Sequence, residues 1–446
     1  MTNASQGTAS LEAARHTVRT RPNRRHVLGA VAGTSIGSLA GCLETYETVA
    51  GSADETEETI TIGVLAADPD GDYLGQSIVR SVRLAVDQLN EEDGIGGAPV
   101  ELAVGDTNGN PLEGRREYQR LVLEEGADVT IGVGTSEVLV ELAQDIAEQE
   151  TVHITAGAAT TAITDLVRDQ YDQYKYHFRA GPVNEYDLGE AQIDFLQEMA
   201  PELGWESIAL LAEDYSWSEG SWETFQEQRA DLPLDIAVEQ RYPPATNDFG
   251  AIYDEAEAAD IDSVFISTAH TGTDAVLDWA GQRPFGFGGI HVPLQLPTYY
   301  EATNGACRYA IGQSSAPLGP DVTPESEALR TAYQDAYGES TPVYTGYFAY
   351  DATMVFAQAV EQTSTDGSTV MPEADDLVET LEEIEVAGSS GTIEFHDRDG
   401  EYPHDLIYRE GDTFYFQWQE QDGEGVQEII WPEEYATAEY VPPAWL

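Results

Sequence analysis

Two turns rich in hydroxyl and glycine residues carry the chemistry that this sequence offers: Gly134-Thr135-Ser136 and Thr155-Ala156-Gly157-Ala158-Ala159-Thr160-Thr161. Neither holds a lysine or arginine, yet both suit an anion. A β-branched run ending at Val133 precedes the first turn and Val152-His153-Ile154 precedes the second, so each turn closes a strand. Between them Leu139, Leu142, Ala143 and Ile146 recur at helical spacing, while Glu137, Glu141, Gln144 and Glu148 take the other face. Strand, turn, helix, strand, turn places unpaired N–H groups side by side at the carboxyl edge of a parallel sheet. A carboxylate is held there by hydrogen bonds and by the positive end of the helix dipole. Serine is also a common helix cap, which leaves Ser136 a simpler role.

Catalytic signals are weak by comparison. No Walker lysine motif and no His-Glu-x-x-His helix occurs. His396 and His404 flank Asp397-Arg398-Asp399-Gly400 and suggest a metal cluster, but Asp and Gly between two strand runs read better as a hairpin turn. Binding without a metal or cofactor is therefore expected, and not an enzyme.

The elements that position the turns begin only after a leader. Residues 1–41 read as an export signal: Arg24-Arg25 precedes a short apolar run from Val27 to Leu39, the twin-arginine pattern. That run is too short to span a bilayer. It ends in Leu39-Ala40-Gly41-Cys42, similar to a lipobox in which Cys42 takes the lipid and becomes the first mature residue. An arginine-rich tail beside an accidental cysteine is the alternative. Residues 42–58 are acidic and poor in apolar groups, a tether between lipid and domain. Cys307 is then left without a disulfide partner and is expected to be buried as a small apolar group.

Charge narrows the partners further. The chain has 82 acidic and 20 basic residues; the leader removes five arginines and Glu12, leaving 81 against 15, a net charge of −66. Such a surface repels itself at low salt and is tolerated where screening is strong. It points to a hypersaline exterior and a salt-loving archaeon as source. Nucleic acid is excluded as a partner, because phosphate binding needs a basic face.

About 390 residues follow the tether, more than one core usually holds. Strand and helix alternate: strand Ile60–Ala66, helix Ile78–Asn90, strand Val100–Gly105, helix Gly114–Glu125, then the two turns. Alternation of this kind builds parallel βαβ units. Tyr176–Ala180 reads as the first strand to leave this domain, and Ser207–Leu211, Leu234–Val238, Ser263–Ile266 and Ile290–Leu294 as the strands of a second. A return crossing is expected near Arg308–Pro317 and a third near Gly391–Phe395, with tail strands Leu406–Tyr408, Thr413–Trp418 and Val426–Trp431 beside the second domain.

Several segments together carry a family likeness. Ile62-Gly63-Val64-Leu65, Gly94-Ile95-Gly96-Gly97, Asp106-Thr107-Asn108-Gly109-Asn110-Pro111, Tyr347-Phe348-Ala349-Tyr350-Asp351-Ala352 and Gly388-Ser389-Ser390-Gly391-Thr392-Ile393-Glu394-Phe395, in this order, resemble the solute-binding proteins of branched-chain amino-acid ABC transporters. The resemblance implies an α/β fold of two Rossmann-like lobes with parallel sheets joined by a three-segment hinge. It divides the chain into 59–180 with 314–393 as lobe 1 and 181–313 with 394–446 as lobe 2. It implies a lipid-anchored protein at the outer face of the membrane that delivers an amino acid or related small carboxylate or amide to a permease. The same fold serves sensors that signal to a membrane partner without transport.

Site residues follow from the likeness position by position. Ser136 falls on the hydroxyl that holds the ligand carboxylate. In the second turn Gly157 and Ala158 fit, Ala159 stands where a threonine is usual, and Thr160 comes one residue later. Tyr73 is the candidate aromatic of the first loop, or a solvent-facing tyrosine. Trp217 takes the place of a tyrosine over the substrate, or closes a hydrophobic edge. His270 lies near another ligand-facing aromatic, or is a loop residue. Gln295 stands where amino-acid binders present a glutamate to the ammonium; Glu213, Asp214 and Glu301 are possible substitutes.

Overall fold

Runs of Val, Ile and Leu separated by amphipathic helices can bury both faces of their strands only in a parallel sheet covered on each side. The computed structural model describes residues 59–446 except 245, 320–321, 339–340, 365–370 and 410–411. The export signal, Cys42 and the tether lie outside the described residues. Strands β1 (Ile60–Ala66), β2 (Val100–Asp106), β3 (Val129–Gly132), β4 (His153–Ala156) and β5 (His177–Gly181) pair in parallel in the order β2-β1-β3-β4-β5.

The first crossover helix, Tyr73–Glu91, starts earlier than its apolar stripe predicts, because Asp72 caps it by accepting the Gly75 N–H at 2.9 Å. Tyr73 is thus the first helical residue rather than part of a loop. Ile78, Val82, Ala85, Val86 and Leu89 form the buried face. The helix Tyr344–Thr363 returns from much later in the chain to pack against it and against β3, β4 and β5.

The second sheet joins β6 (Ser207–Glu213), β7 (Asp235–Tyr242), β8 (Ser263–Thr268) and β9 (Gly286–His291) in parallel, ordered β7-β6-β8-β9. Alternate residues of β6 face opposite ways, as a pleat requires: Ala209 and Leu211 enter one core, Ile208 and Leu210 the other. Beyond β9 lies β10 (Ile311–Ser314). A short hairpin, β11 (Glu385–Ala387) with β12 (Thr392–Glu394), precedes the tail strands β13 (Phe414–Gln421) and β14 (Glu424–Trp431). β10, β13 and β14 form an antiparallel sheet whose Tyr415 and Phe416 extend both cores of this lobe. Cys307 is buried among them.

Core membership changes between Leu188 and Ile193, back between Ile311 and Ala316, and again between Leu406 and Phe414, with Trp217 and Ile290 of the second sheet's lobe also packed into the first core. The third change falls later than expected. Phe395 and Leu406 belong to the first core, where Phe395 meets the Phe178 ring edge to face at 5.1 Å.

Two expected strands are differently placed. The one read over Ile290–Leu294 is β9, hidden in the sequence by Gly286, Gly288 and Gly289, which have low strand propensity. A Cβ at Gly288 would meet the Trp205 ring at 2.9 Å, and Gly289 has φ +122°, so the glycines answer to packing. Pro293 cannot donate to a ladder, and Val292–Gln295 form a 3-10 turn. Leu406–Tyr408 is no strand: its ladder is reduced to single bridges, Phe395 with Leu406 and Arg179 with Asp405. The segment from His396 to His404 does turn back on itself, with the His404 N–H donating to the His396 carbonyl at 3.1 Å. His404 is buried, its ring nitrogens 3.0 Å from the His177 carbonyl and 2.9 Å from Glu382.

Candidate functional site

At the end of β3 the backbone does something a β-branched residue seldom does. Gly132 has φ +119° and Val133 φ +65°, a conformation that costs a valine of order 1–3 kcal/mol and persists only where its surroundings hold it. Here two hydrogen bonds hold it: the Val133 N–H donates to Leu65 at 2.8 Å, and its carbonyl accepts from Ala158 at 3.0 Å. The bend thereby ties the first turn to the second. Gly157 makes the approach possible, since a Cβ there would lie 2.8 Å from the Gly134 Cα and 3.2 Å from Thr345.

The turns present donors without acceptors. Thr135 is the N-cap of the Ser136–Gln149 helix and makes no side-chain cap bond. Ser136 is the first helical residue, so it is not the cap; its side chain is buried and its hydroxyl has no partner among the described residues. The N–H groups of Ser136, Gly157 and Ala159 likewise lack an acceptor among those residues, whereas that of Ala158 is spent on Val133.

The carbonyl oxygens of the second turn are occupied by groups outside the cavity wall. Arg179, fully buried, donates to the Ala158 carbonyl and to that of Thr160 at 2.6 Å. Its Nε donates to Asp405 at 3.0 Å, and Asp405 also accepts from Thr164 at 2.9 Å. The Ala159 carbonyl accepts the Glu185 N–H at 2.9 Å. Thr160 faces the turn itself, its hydroxyl accepting the Ala162 N–H at 3.3 Å, and it does not reach the cavity.

Opposite these turns the second lobe supplies Glu213, Trp217 and His270. Glu213 is fully buried and accepts five hydrogen bonds: the Trp217 indole at 2.5 Å and His270 Nδ1 at 2.8 Å on one oxygen, and Thr268 at 3.0 Å with the Ala269 and His270 N–H groups at 3.0 and 3.1 Å on the other. Burial alone would raise the Glu213 pKa; the hydrogen bond and charge of His270, with the other donors, hold it below the ordinary carboxylate value. The bond to Glu213 in turn raises His270 above the usual imidazole range against its partial burial. Tyr215 packs on the His270 ring at 4.4 Å. Ser216 crosses to the first lobe and donates to Glu137 at 2.7 Å.

A cavity of about 280 Å³ lies between these walls. Ser136, Gly157, Ala158, Ala159, Trp217, His270 and Gln295 all line it; Tyr73 and Thr160 do not. The Tyr73 hydroxyl donates to the Thr341 carbonyl at 2.9 Å. Gln295 is 3 % exposed and its side-chain oxygen has no hydrogen bond. Of the three acidic substitutes, Glu213 is consumed by its own donors, Asp214 pairs with Arg241 at 3.3 Å, and Glu301 lies outside the wall.

Sequence reasoning passed over Arg179, Asp405, Glu185, Tyr215 and Tyr344. One signal for Arg179 was present: an arginine inside the apolar run His177-Phe178-Arg179-Ala180, in a chain with few cations, has to be held by something.

A cavity between two parallel-sheet lobes, with hydrogen-bond donors on one wall and aromatic groups on the other, defines a two-lobed receptor for a small solute. The chain belongs to the periplasmic binding protein family, which it matches over residues 59–413. It is 24 % identical over 278 residues to Leu/Ile/Val-binding protein homolog 7 of Brucella suis, covering 60 % of this chain and 68 % of the relative. Among solved structures it superposes on a branched-chain amino-acid transporter substrate-binding protein of Streptococcus pneumoniae in complex with isoleucine, at TM-score 0.67 and 17 % identity, covering 84 % of this chain and all of the other. A solute-binding protein of Rhodopseudomonas palustris HaA2 in complex with p-hydroxybenzoic acid gives TM-score 0.69 at 16 % identity, covering 86 % and 98 %.

Proposed function

We propose that this chain is the solute-binding component of an ABC uptake transporter, taking up a small organic acid of amino-acid size between its lobes and delivering it to the permease. One observation carries the reading. The Ser136 hydroxyl and the N–H groups of Ser136, Gly157 and Ala159 stand without acceptors among the described residues, on the wall of a cavity between the lobes. Donors that a ligand strips of water cost about 1–3 kcal/mol each if left unpaired, and a carboxylate pairs with several at once. The names of the relatives support a carboxylate ligand, since isoleucine and hydroxybenzoate share that group.

Closure on the ligand is selection by differential affinity: contacts from both lobes favour the closed form only to the extent that the open form lacks them. The twin-arginine leader and Cys42 support export and anchoring by lipid at the outer face of the membrane, and the acidic surface supports a saline exterior.

A thermal-shift screen in molar salt tests the reading. A bound acid at a hundred times its dissociation constant adds about 2.7 kcal/mol to stability, so the melting temperature rises. A panel of amino, hydroxy, oxo and aromatic acids with no rise for any member overturns it.

A further inference from the structure

The ionisable groups around the cavity are unevenly provided. Among the wall residues only Asp72 and His270 have side chains of the carboxyl or imidazole type. Asp72 is exposed at the edge and holds the Gly75 N–H as a helix cap. His270 has its Nδ1 on Glu213, and its Nε2 has no partner among the described residues. Glu213, the buried carboxylate behind His270, stands outside the wall with five donors already on its two oxygens. A carboxylate has about four lone-pair sites, so none remains for a ligand. Where a zwitterion needs a negative group, the wall offers Gln295, a neutral amide whose buried oxygen lacks a donor.

We infer that the solute is an organic anion without an ammonium group: a carboxylate with an apolar or aromatic body and a hydroxyl or other neutral donor that reaches Gln295. The inference rests on the proposed carboxylate site and narrows it. Away from the exposed edge where Asp72 sits, an ammonium in this cavity meets His270 and no carboxylate, and a buried charge without a partner costs several kcal/mol. A hydroxyl satisfies the Gln295 oxygen at no such cost. The body of the ligand lies among Leu74, Ile78, Ile290, Val292, Trp217 and Tyr344, an apolar enclosure that rewards burial by area. His270 is raised by its bond to Glu213, and Glu137 and Tyr215 are the other titratable groups close to it.

The test is a matched pair measured by calorimetric titration on the full protein in molar salt: leucine against 2-hydroxy-4-methylpentanoate, and phenylalanine against 3-phenyllactate. The expected result is that the hydroxy acid binds roughly tenfold or more tighter than its amino acid. An amino acid that binds as tightly or more tightly overturns the inference and leaves the transport reading standing; binding of neither class sinks both. Gln295→Glu returns a carboxylate to the wall and is expected to move the preference toward the amino acid by roughly tenfold. Its melting temperature is measured alongside. A folded variant with an unchanged ratio removes Gln295 from the role given to it.

Discussion

Burying a carboxylate without a counter-charge costs several kcal/mol, and Glu213 avoids that cost through its five donors, His270 among them. The pair has a defined pH window. His270, raised in the folded state, contributes stability that is complete below its ordinary value and lost as pH rises through the folded one. Glu213, lowered, contributes stability present above its ordinary value and lost as pH falls through the folded one. Ligand affinity is therefore expected to weaken as pH rises through the His270 transition, and Glu213→Gln to bring that weakening to lower pH, measured as dissociation constant against pH. Identical profiles for the two proteins would separate His270 from the anion. Ser136→Ala removes a hydroxyl that has no partner among the described residues, and on the proposed reading affinity is expected to fall by about 1–3 kcal/mol with the melting temperature of the free protein unchanged. Unaltered binding would move the carboxylate elsewhere.

The two turns work as a unit because Val133 and Gly157 lock them together. Gly157→Ala brings a methyl to within 2.8 Å of the Gly134 Cα. Backbone must shift, at a cost of about 1–3 kcal/mol, and the shift separates the donors proposed to hold the ligand. Both the melting temperature and the affinity are expected to drop; a loss of stability with full affinity would show that the turns act independently. Elements of this lobe were legible where local pattern and tertiary context agree, as in β1 and the Ser136–Gln149 helix. In the other lobe β9 was not, because its glycines answer to Trp205 and to the neighbouring strand rather than to strand propensity. The wall at Ser136, Gly157, Ala158, Ala159, Trp217, His270 and Gln295 could be placed from turn spacing and family likeness. Tyr73 could not: sequence gives no sign that Thr341, far along the chain, takes its hydroxyl. Nor could Glu213 be told from a surface carboxylate in so acidic a chain until its donors were seen, for they come from two separate stretches, Trp217 in the turn after β6 and Thr268, Ala269 and His270 at the end of β8.

At the scale of the whole molecule the problem is repulsion. The chain sets 20 basic residues against 82 acidic ones, and most of the cations in the described residues are already committed. Arg115, Arg116, Arg120, Arg168, Arg229, Arg241, Arg283, Arg308 and Arg409 each sit in ion pairs, and Arg179 is sealed in the interior with Asp405. Added salt has two opposing effects. It weakens the exposed pairs, each worth about 0–1 kcal/mol, and it relieves repulsion among the many unpaired carboxylates by cutting the screening length from about 10 Å at 0.1 M to about 3 Å at 1 M. Unpaired carboxylates far outnumber the pairs, so relief wins. The melting temperature is expected to rise steadily with potassium chloride between those two concentrations, a chloride salt being chosen so that screening rather than surface exclusion is tested. Arg179 and Asp405 are out of reach of the solvent ions, so the geometry behind the carboxylate turn is expected to persist across the range. Affinity measured at each salt concentration checks this: it should change far less than the melting temperature does. A melting temperature that is flat or falls with salt would mean that the carboxylates are too far apart to repel, and that the acidic surface has a use other than tolerating brine.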